Sequence, residues 1–121
     1  MRTALVVDDS KVVRTISRQI MESMDFDVRE AKDGQDALAK CKEQIPEVIL
    51  LDWNMPIMNG LEFLLAFRQC KEHSDTKVIF CTTENDMQKI QEAVMSGANE
   101  YVMKPFDAEI IKGKLLQLGI L

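Results

Sequence analysis

The feature of the sequence that most constrains the fold is a series of short apolar runs, each of which stops abruptly at a polar residue. Residues 5–7 end at Asp8, and three later runs behave in the same way: 48–51 before Asp52, 78–81 before Thr82, and 101–103 before Lys104. Such runs are typical of strands that are buried on both faces, as in a parallel sheet. A fainter run surrounds Val28. The pattern therefore predicts a sheet of five strands.

Between the runs, apolar residues recur at steps of three and four, which is typical of helices that bury one face. Ser10 and Asp107 precede the first and last of these segments and are predicted to cap them. Because strand and helix alternate five times, we expect an α/β fold, a (βα)5 flavodoxin-like three-layer sandwich with a parallel sheet of order 2-1-3-4-5. The predicted buried stripes are Val12, Val13, Ile16, Ile20 and Met24; Ala37, Leu38, Cys41 and Ile45; Leu61, Leu64, Leu65 and Arg68; Ile90, Ala93, Val94 and Gly97; and Ile110, Ile111, Leu115 and Leu118.

The composition is that of one ordinary globular domain. The chain has 121 residues, of which 46% are hydrophobic and 29% charged, so we expect a single domain over residues 1–121 without an output domain. The net charge of −5 argues against binding to nucleic-acid phosphates. Three cysteines without a Cys-x-x-Cys pair favour reduced thiols. Since the sequence has neither a signal peptide nor an apolar run of membrane-spanning length, we expect a cytoplasmic protein that binds no membrane.

The polar residues that end the strands should meet at one edge of the sheet, where open α/β sheets bind ligands. Each of Asp8, Asp9, Asp52, Thr82 and Lys104 could alone be a cap or a solvated turn residue, but together they surround one crevice. Two carboxylates at about 4 Å repel each other by roughly 4 kcal/mol at an effective dielectric near 20. Either some stay protonated or a divalent cation neutralises them. Because the ligands are all oxygens, we expect that cation to be Mg²⁺.

A carboxylate beside Mg²⁺ can attack phosphorus and form an acyl phosphate. Asp52 stands alone at the end of the central strand and is the predicted nucleophile. The Lys104 ammonium would share the negative charge of the phosphoryl oxygens during transfer, and Thr82 would hydrogen-bond one of them. Asp8 and Asp9 are adjacent and cannot aim at the same point, so one can bind the metal directly and the other through water.

These residues also form a pattern that resembles the bacterial response-regulator receiver family of two-component systems. The acidic pair, an Asp-x-x-Met-Pro motif and a Lys-Pro motif are a specific combination, and the match spans the whole chain. Within the family, residues 52–56 most resemble stand-alone chemotaxis regulators. The stretches that carry the resemblance are 5–10, 50–56, 58–60, Thr82, 97–98 and 101–106.

The resemblance implies a phosphoprotein that accepts phosphate on Asp52 from a histidine kinase. It implies that a backbone carbonyl, that of Asn54, joins the three carboxylates as a ligand of Mg²⁺. It also implies that Thr82 and Lys104 sense the phosphoryl group, and that Tyr101 turns inward as the loop after Thr82 closes. Asn54 and Glu84 would tune the approach of the hydrolytic water. Pro105 would follow a cis bond. Thr83 departs from the family, which often has Ala or Gly there.

The expected output is the binding of another protein, such as a flagellar motor component or a phosphatase, by a monomeric switch. The surface expected to change is helix 4, strand 5 and helix 5, with Met87, Lys89, Gln91, Met95, Tyr101, Lys112 and Lys114 exposed on it. A phosphorelay shuttle and a stress or cell-cycle regulator are alternatives of the same family. Two further classes are an aspartyl-phosphate phosphohydrolase, which usually carries its nucleophile on strand 1, and an FMN carrier, which needs a Gly-rich anion loop where this chain has Asp8 and Asp9.

Overall fold

The computed structural model describes residues 2–83 and 87–121, in which strands and helices alternate throughout. A short 3₁₀ helix, Lys71–His73, lies between the third helix and the fourth strand. The elements are β1 Arg2–Val7, α1 Lys11–Glu22, β2 Phe26–Ala31, α2 Gly34–Glu43, β3 Val48–Asp52, α3 Gly60–Arg68, β4 Lys77–Thr82, α4 Met87–Met95, β5 Glu100–Met103 and α5 Ala108–Gln117.

All five strands pair in parallel, in the order β2-β1-β3-β4-β5. This confirms the predicted fold and strand order. Val7 pairs with Leu51 and Leu51 with Phe80, so the ends of the three central strands are level with one another. The strand order reverses between β1 and β3, and the loops on either side of this point diverge and leave a crevice at the carboxyl edge of the sheet.

The sheet separates two apolar layers, because alternate residues of each strand point to opposite faces. On one face, Phe63 and Phe67 of α3 are fully buried against Leu5 and Leu51, with α2 and α4 alongside. On the other face, residues of α1 and α5 cover the sheet: Met21, Ile111 and Leu115. These two layers make the sheet a rigid platform for the loops at its carboxyl edge.

The predicted caps are confirmed. The Ser10 hydroxyl accepts a hydrogen bond from the Val13 amide at 3.3 Å, and the Asp107 carboxylate accepts one from the Ile110 amide at 2.9 Å. The Lys104–Pro105 peptide bond is cis, as expected. The three cysteines are free thiols, with Cys41 and Cys81 buried. Among the described helices, none combines the length and the apolar character needed to cross a membrane.

All five predicted helices form, but several residues of the predicted stripes lie outside the core. In α1 the buried residues are Ser17 and Met21, whereas Val12 and Ile16 are 69% and 49% exposed. Ile16 lines a cavity of about 290 Å³ between α1 and the loop after β5, rather than the core. Apolar spacing selects a helix face, but it cannot tell a core face from the wall of a groove. The other residues placed outside the core are Ile45, which follows the end of α2, Leu65, Val94 and Ile110.

Candidate functional site

The structure brings the three predicted carboxylates together at the crevice. Asp8 and Asp9 follow β1 directly and Asp52 is the last residue of β3, so the sheet itself sets their separation. One oxygen from each carboxylate lies within 4.8 Å of the others. Asp8 and Asp52 are buried, while Asp9 is exposed. A set of oxygen ligands at this spacing fits a hard divalent cation such as Mg²⁺.

Lys104 bridges two of the three carboxylates. Its Nζ atom donates to Asp8 Oδ2 at 2.7 Å and to Asp52 Oδ1 at 2.8 Å. The β4–β5 pairing places the lysine here, since the Lys104 amide also donates to the carbonyl oxygen of Thr82 at 2.8 Å. The side chain of Lys104 is only 17% exposed, so the two ion pairs form in a partly desolvated crevice.

Burial and the neighbouring charges shift two titrating groups of the site. Burial raises the pKa of Asp52, and repulsion from Asp8 and Asp9 adds to this, against the opposing hydrogen bond from Lys104. Burial alone would lower the pKa of Lys104, but its hydrogen bonds to Asp52 and Asp8 outweigh burial and the pKa is raised. The site therefore stabilises the charged form of Lys104 and makes ionisation of Asp52 less favourable than in water.

The start of α3 packs tightly against the end of β3. A Cβ atom at Gly60 would overlap the carbonyl oxygen of Asp52, and the Gly60 amide donates to the Trp53 carbonyl oxygen at 3.0 Å. A capping box between Asn59 and Glu62 fixes the helix at this point. The glycine is needed here because only a residue without a side chain allows this close approach of helix and strand.

The loop between β3 and α3 contains a strained residue. Ile57 has a positive φ of 69°, and the Met58 amide donates to the Pro56 carbonyl oxygen at 2.7 Å, which closes a three-residue turn around it. A β-branched residue rarely adopts this conformation, and Ile57 is also 71% exposed. Ile57 lies five residues after Asp52, in the same loop as Asn54.

The remaining predicted residues are placed as follows. Thr82 is buried at the end of β4, and Asn54 is exposed in the loop after β3. Tyr101 is half-buried on β5, with Lys114 Nζ 5.6 Å from the centre of its ring. The Trp53 ring packs at 4.9 Å from that of Phe80. Glu84 lies outside the described residues.

One residue beside the site was not among those that the sequence singles out. Arg14, in α1, donates from Nη1 to the carbonyl oxygen of Asp8 at 2.7 Å. Sequence patterns give no signal for such a contact, because an arginine on a helix usually lies in solvent and its partner here is a backbone atom. The ion pair of Arg14 with Glu30 of β2 is equally invisible in a single sequence.

Comparison with known proteins defines the family. Residues 4–116 match the response regulator receiver domain, and the chain belongs to this family. The chain is 38% identical over 113 residues to a protein named chemotaxis protein CheY homolog from Campylobacter jejuni, which covers 92% of this chain and 87% of that one. It is 35% identical over 113 residues to chemotaxis protein CheY1 of Helicobacter pylori, over 92% and 91% of the two chains.

Solved structures agree with this assignment. The structure of chemotaxis protein CheY4 of Vibrio cholerae superposes with a TM-score of 0.92 at 35% sequence identity, over 98% of each chain. A receiver domain of a Francisella response regulator superposes with a TM-score of 0.84 at 28% identity. The chain is therefore a CheY-like receiver domain, a signalling switch of the response regulator family.

Proposed function

We propose that this receiver domain is a Mg²⁺-dependent phosphoacceptor that takes a phosphoryl group onto Asp52 from a histidine kinase and then binds a partner protein. The observation that carries the proposal is the convergence of three carboxylates and one ammonium on a single crevice, with Asp52 at its centre. The raised pKa of Asp52 supports a functional site, since shifts caused by burial and like charges concentrate at such sites.

We assign the metal to Asp8, Asp9 and Asp52, with the backbone carbonyl of Asn54 as a further ligand. The chemistry that Mg²⁺ supplies when bound is neutralisation of the carboxylates and of the phosphoryl oxygens. Receiver domains depend on Mg²⁺ in general, and the oxygen-only set of this chain suits that ion.

In the proposed transfer, an oxygen of Asp52 attacks phosphorus and a new O–P bond forms. The P–N bond of the donor's phosphohistidine breaks, its electron pair stays on the imidazole nitrogen, and that nitrogen takes up a proton. Lys104, freed from the Asp52 oxygen that becomes esterified, donates to a phosphoryl oxygen and shares its negative charge. The Thr82 hydroxyl donates to another. Asn54 and Glu84 tune the entry of the water that later hydrolyses the acyl phosphate.

The proposed output is a change in the surface formed by α4, β5 and α5. Phosphorylation adds a charge of about −1.5 to −2 at the crevice, which draws Thr82 and Lys104 toward it and lets Tyr101 turn inward. The exposure of Met87 and Met95, at 63% and 87%, supports this surface as a docking site for a protein. Adaptable methionines suit such a surface.

We propose chemotaxis as the pathway, with a flagellar motor component or a phosphatase as the downstream partner. The support is the names of the relatives, which are chemotaxis proteins of 35–38% identity that align over nearly their whole length. The proposed location is the cytoplasm, and the proposed state is a monomer. A phosphorelay shuttle would share the site and differ only in the partner.

The test is phosphorylation by acetyl phosphate with MgCl₂, followed by intact-mass measurement. We expect the mass of one phosphoryl group on the wild type and on Asp33→Asn, which changes another buried carboxylate, and none on Asp52→Asn. Thr83→Ala is measured in parallel, because Thr83 lines the cavity beside Lys104 and a smaller residue there would ease access for a small donor. Labelling of Asp52→Asn at the wild-type level, or no labelling of wild type and Thr83→Ala alike, would refute the proposal.

A further inference from the structure

The side chain of Arg14 ties the acidic loop to the neighbouring strand. Its Nη1 atom donates to the carbonyl oxygen of Asp8 at 2.7 Å, and its Nε atom donates to Glu30 Oε1 of β2 at 3.2 Å. The side chain is 16% exposed, so both contacts form out of bulk water. Arg18, one turn further along α1, donates to the other oxygen of Glu30 at 2.7 Å but contributes no contact to Asp8. Arg14 is thus the one of the pair that reaches the loop.

The contacts of Asp8 show what the arginine adds. The Asp8 amide donates to the Ala31 carbonyl oxygen at 3.1 Å, and its two carboxylate oxygens accept from the Ser10 amide and from Lys104. The side chain and the amide are therefore held without Arg14. Only the carbonyl oxygen, which belongs to the peptide unit that leads into Asp9, depends on the guanidinium.

Asp9 has no comparable anchor of its own. Its side chain is exposed, and no hydrogen bond to its carboxylate is found within residues 2–83 and 87–121. The Asp8 carbonyl and the Asp9 amide lie in one rigid plane. Fixing the oxygen at one end of this plane therefore fixes the direction in which the chain enters Asp9, and with it the position from which the Asp9 carboxylate reaches the other two.

We propose that Arg14, held by Glu30, is a positioning residue for the metal site, which it serves by fixing the peptide between Asp8 and Asp9 so that the Asp9 carboxylate faces those of Asp8 and Asp52. This inference rests on the proposed function, because it concerns the same Mg²⁺. Groups that orient metal ligands from outside the ligand shell typically change metal affinity by about 10–100-fold when removed.

The charge of Arg14 and its orienting role have opposite effects on Mg²⁺ affinity, so the sign of the measured change in affinity distinguishes them. Arg14 is a cation in contact with the backbone of Asp8, so the loss of its charge alone would tighten Mg²⁺ binding. Loss of orientation would weaken it. Glu30 is ionised in these pairs, since hydrogen bonds from Arg18 and then Arg14 lower its pKa against the effect of burial. A lysine at this position keeps the positive charge, so Arg14→Lys isolates the effect of orientation.

The experiment titrates MgCl₂ into metal-free protein and follows the fluorescence of Trp53, the sole tryptophan, which adjoins Asp52. We expect Arg14→Gln to weaken Mg²⁺ binding by about tenfold. Arg14→Lys keeps the charge but lacks the planar fork that spans Asp8 and Glu30, and we expect it to weaken binding as well. The matched control, Arg18→Gln, loses a pair with the same Glu30 and should change binding by less than about twofold.

Urea unfolding in EDTA is measured for each variant, and Arg14→Lys decides the matter if Arg14→Gln does not fold. Wild-type or tighter Mg²⁺ binding by the Arg14 variants would overturn the inference, and so would an equal loss in Arg18→Gln. In these cases the proposed function still stands, because the wild type binds the ion. If calorimetry and fluorescence detect no Mg²⁺ binding by the wild type, the metal site itself fails and the role of Arg14 fails with it.

Discussion

Replacement of Asp52 by Asn should stabilise the metal-free protein. The carboxylate pairs with Lys104 Nζ at 2.8 Å, which contributes about 6 kcal/mol of attraction at an effective dielectric near 20. Asp8 within 4.8 Å repels it by about 3.5 kcal/mol on the same scale, and the exposed Asp9 adds about 1 kcal/mol after screening by water. The net attraction of about 1.5 kcal/mol does not offset a burial cost of several kcal/mol for the ion.

Asparagine removes the charge and keeps an oxygen that can accept from Lys104. We therefore expect Asp52→Asn to gain about 1–2 kcal/mol in the free energy of unfolding at pH 7 in EDTA. The assay is urea unfolding, with the midpoint shifted and the slope unchanged. The control is Asp33→Asn, which alters another buried carboxylate, the cap of α2 that accepts from the Asp36 amide at 2.8 Å. Because asparagine caps helices as well as aspartate does, this control should change little.

The pH dependence gives a second check on the same reasoning. Since the pKa of Asp52 is raised in the folded protein, the folded state binds more protons than the unfolded state above the ordinary pKa of 3.8. The contribution of Asp52 to the stability of the wild type therefore falls as the pH rises from 3.8 through the raised pKa. The advantage of Asp52→Asn should grow as the pH rises through the raised pKa and vanish below pH 3.8. A variant less stable than the wild type at pH 7 in EDTA would refute this account.

Three other substitutions test separate parts of the structure. Lys104→Met leaves Asp8 and Asp52 without their cation and should cost about 3–5 kcal/mol of unfolding free energy in EDTA, most of it restored by MgCl₂. An equal loss with and without the ion would contradict this. Ile57→Gly relieves the positive φ at an exposed position and should raise the free energy of unfolding by about 1 kcal/mol, which thermal unfolding would show as a higher midpoint. A lowered midpoint would argue against strain there. Gly60→Ala drives a methyl group into the Asp52 carbonyl and should cost about 1–3 kcal/mol by urea unfolding and slow phosphorylation by acetyl phosphate, with neutral behaviour as the contrary result.

The sequence predicts the sheet well because each buried strand is short, apolar and ended by a polar residue. β2 is the exception: only Val28 and its neighbours mark it, since Glu30 and Arg29 interrupt its apolar pattern. The structure accounts for those charges, as Glu30 pairs with Arg14 and Arg18 of the helix that covers this strand. A strand that contains charged residues can be predicted from its sequence only when the ion-pair partners of those residues are known.

The candidate site, like the sheet, could be predicted from the sequence only in part. That Asp8, Asp9, Asp52 and Lys104 share one edge follows from parallel topology alone. The bridging position of Lys104 does not, because it depends on side-chain reach across two strand ends. The exposed stripe residues of α1, such as Val12, show the other limit, since local spacing carries no information on which neighbour a helix face will meet.

The double ion pair of Lys104 has a consequence for a cell in which free magnesium fluctuates. The domain carries its own counter-charge, a single ammonium that pairs with Asp8 and Asp52 when the ion is scarce. Under the proposed function, scarcity of the metal would then lower the readiness of the domain to accept a phosphoryl group, while Lys104 still limits the repulsion between these two carboxylates.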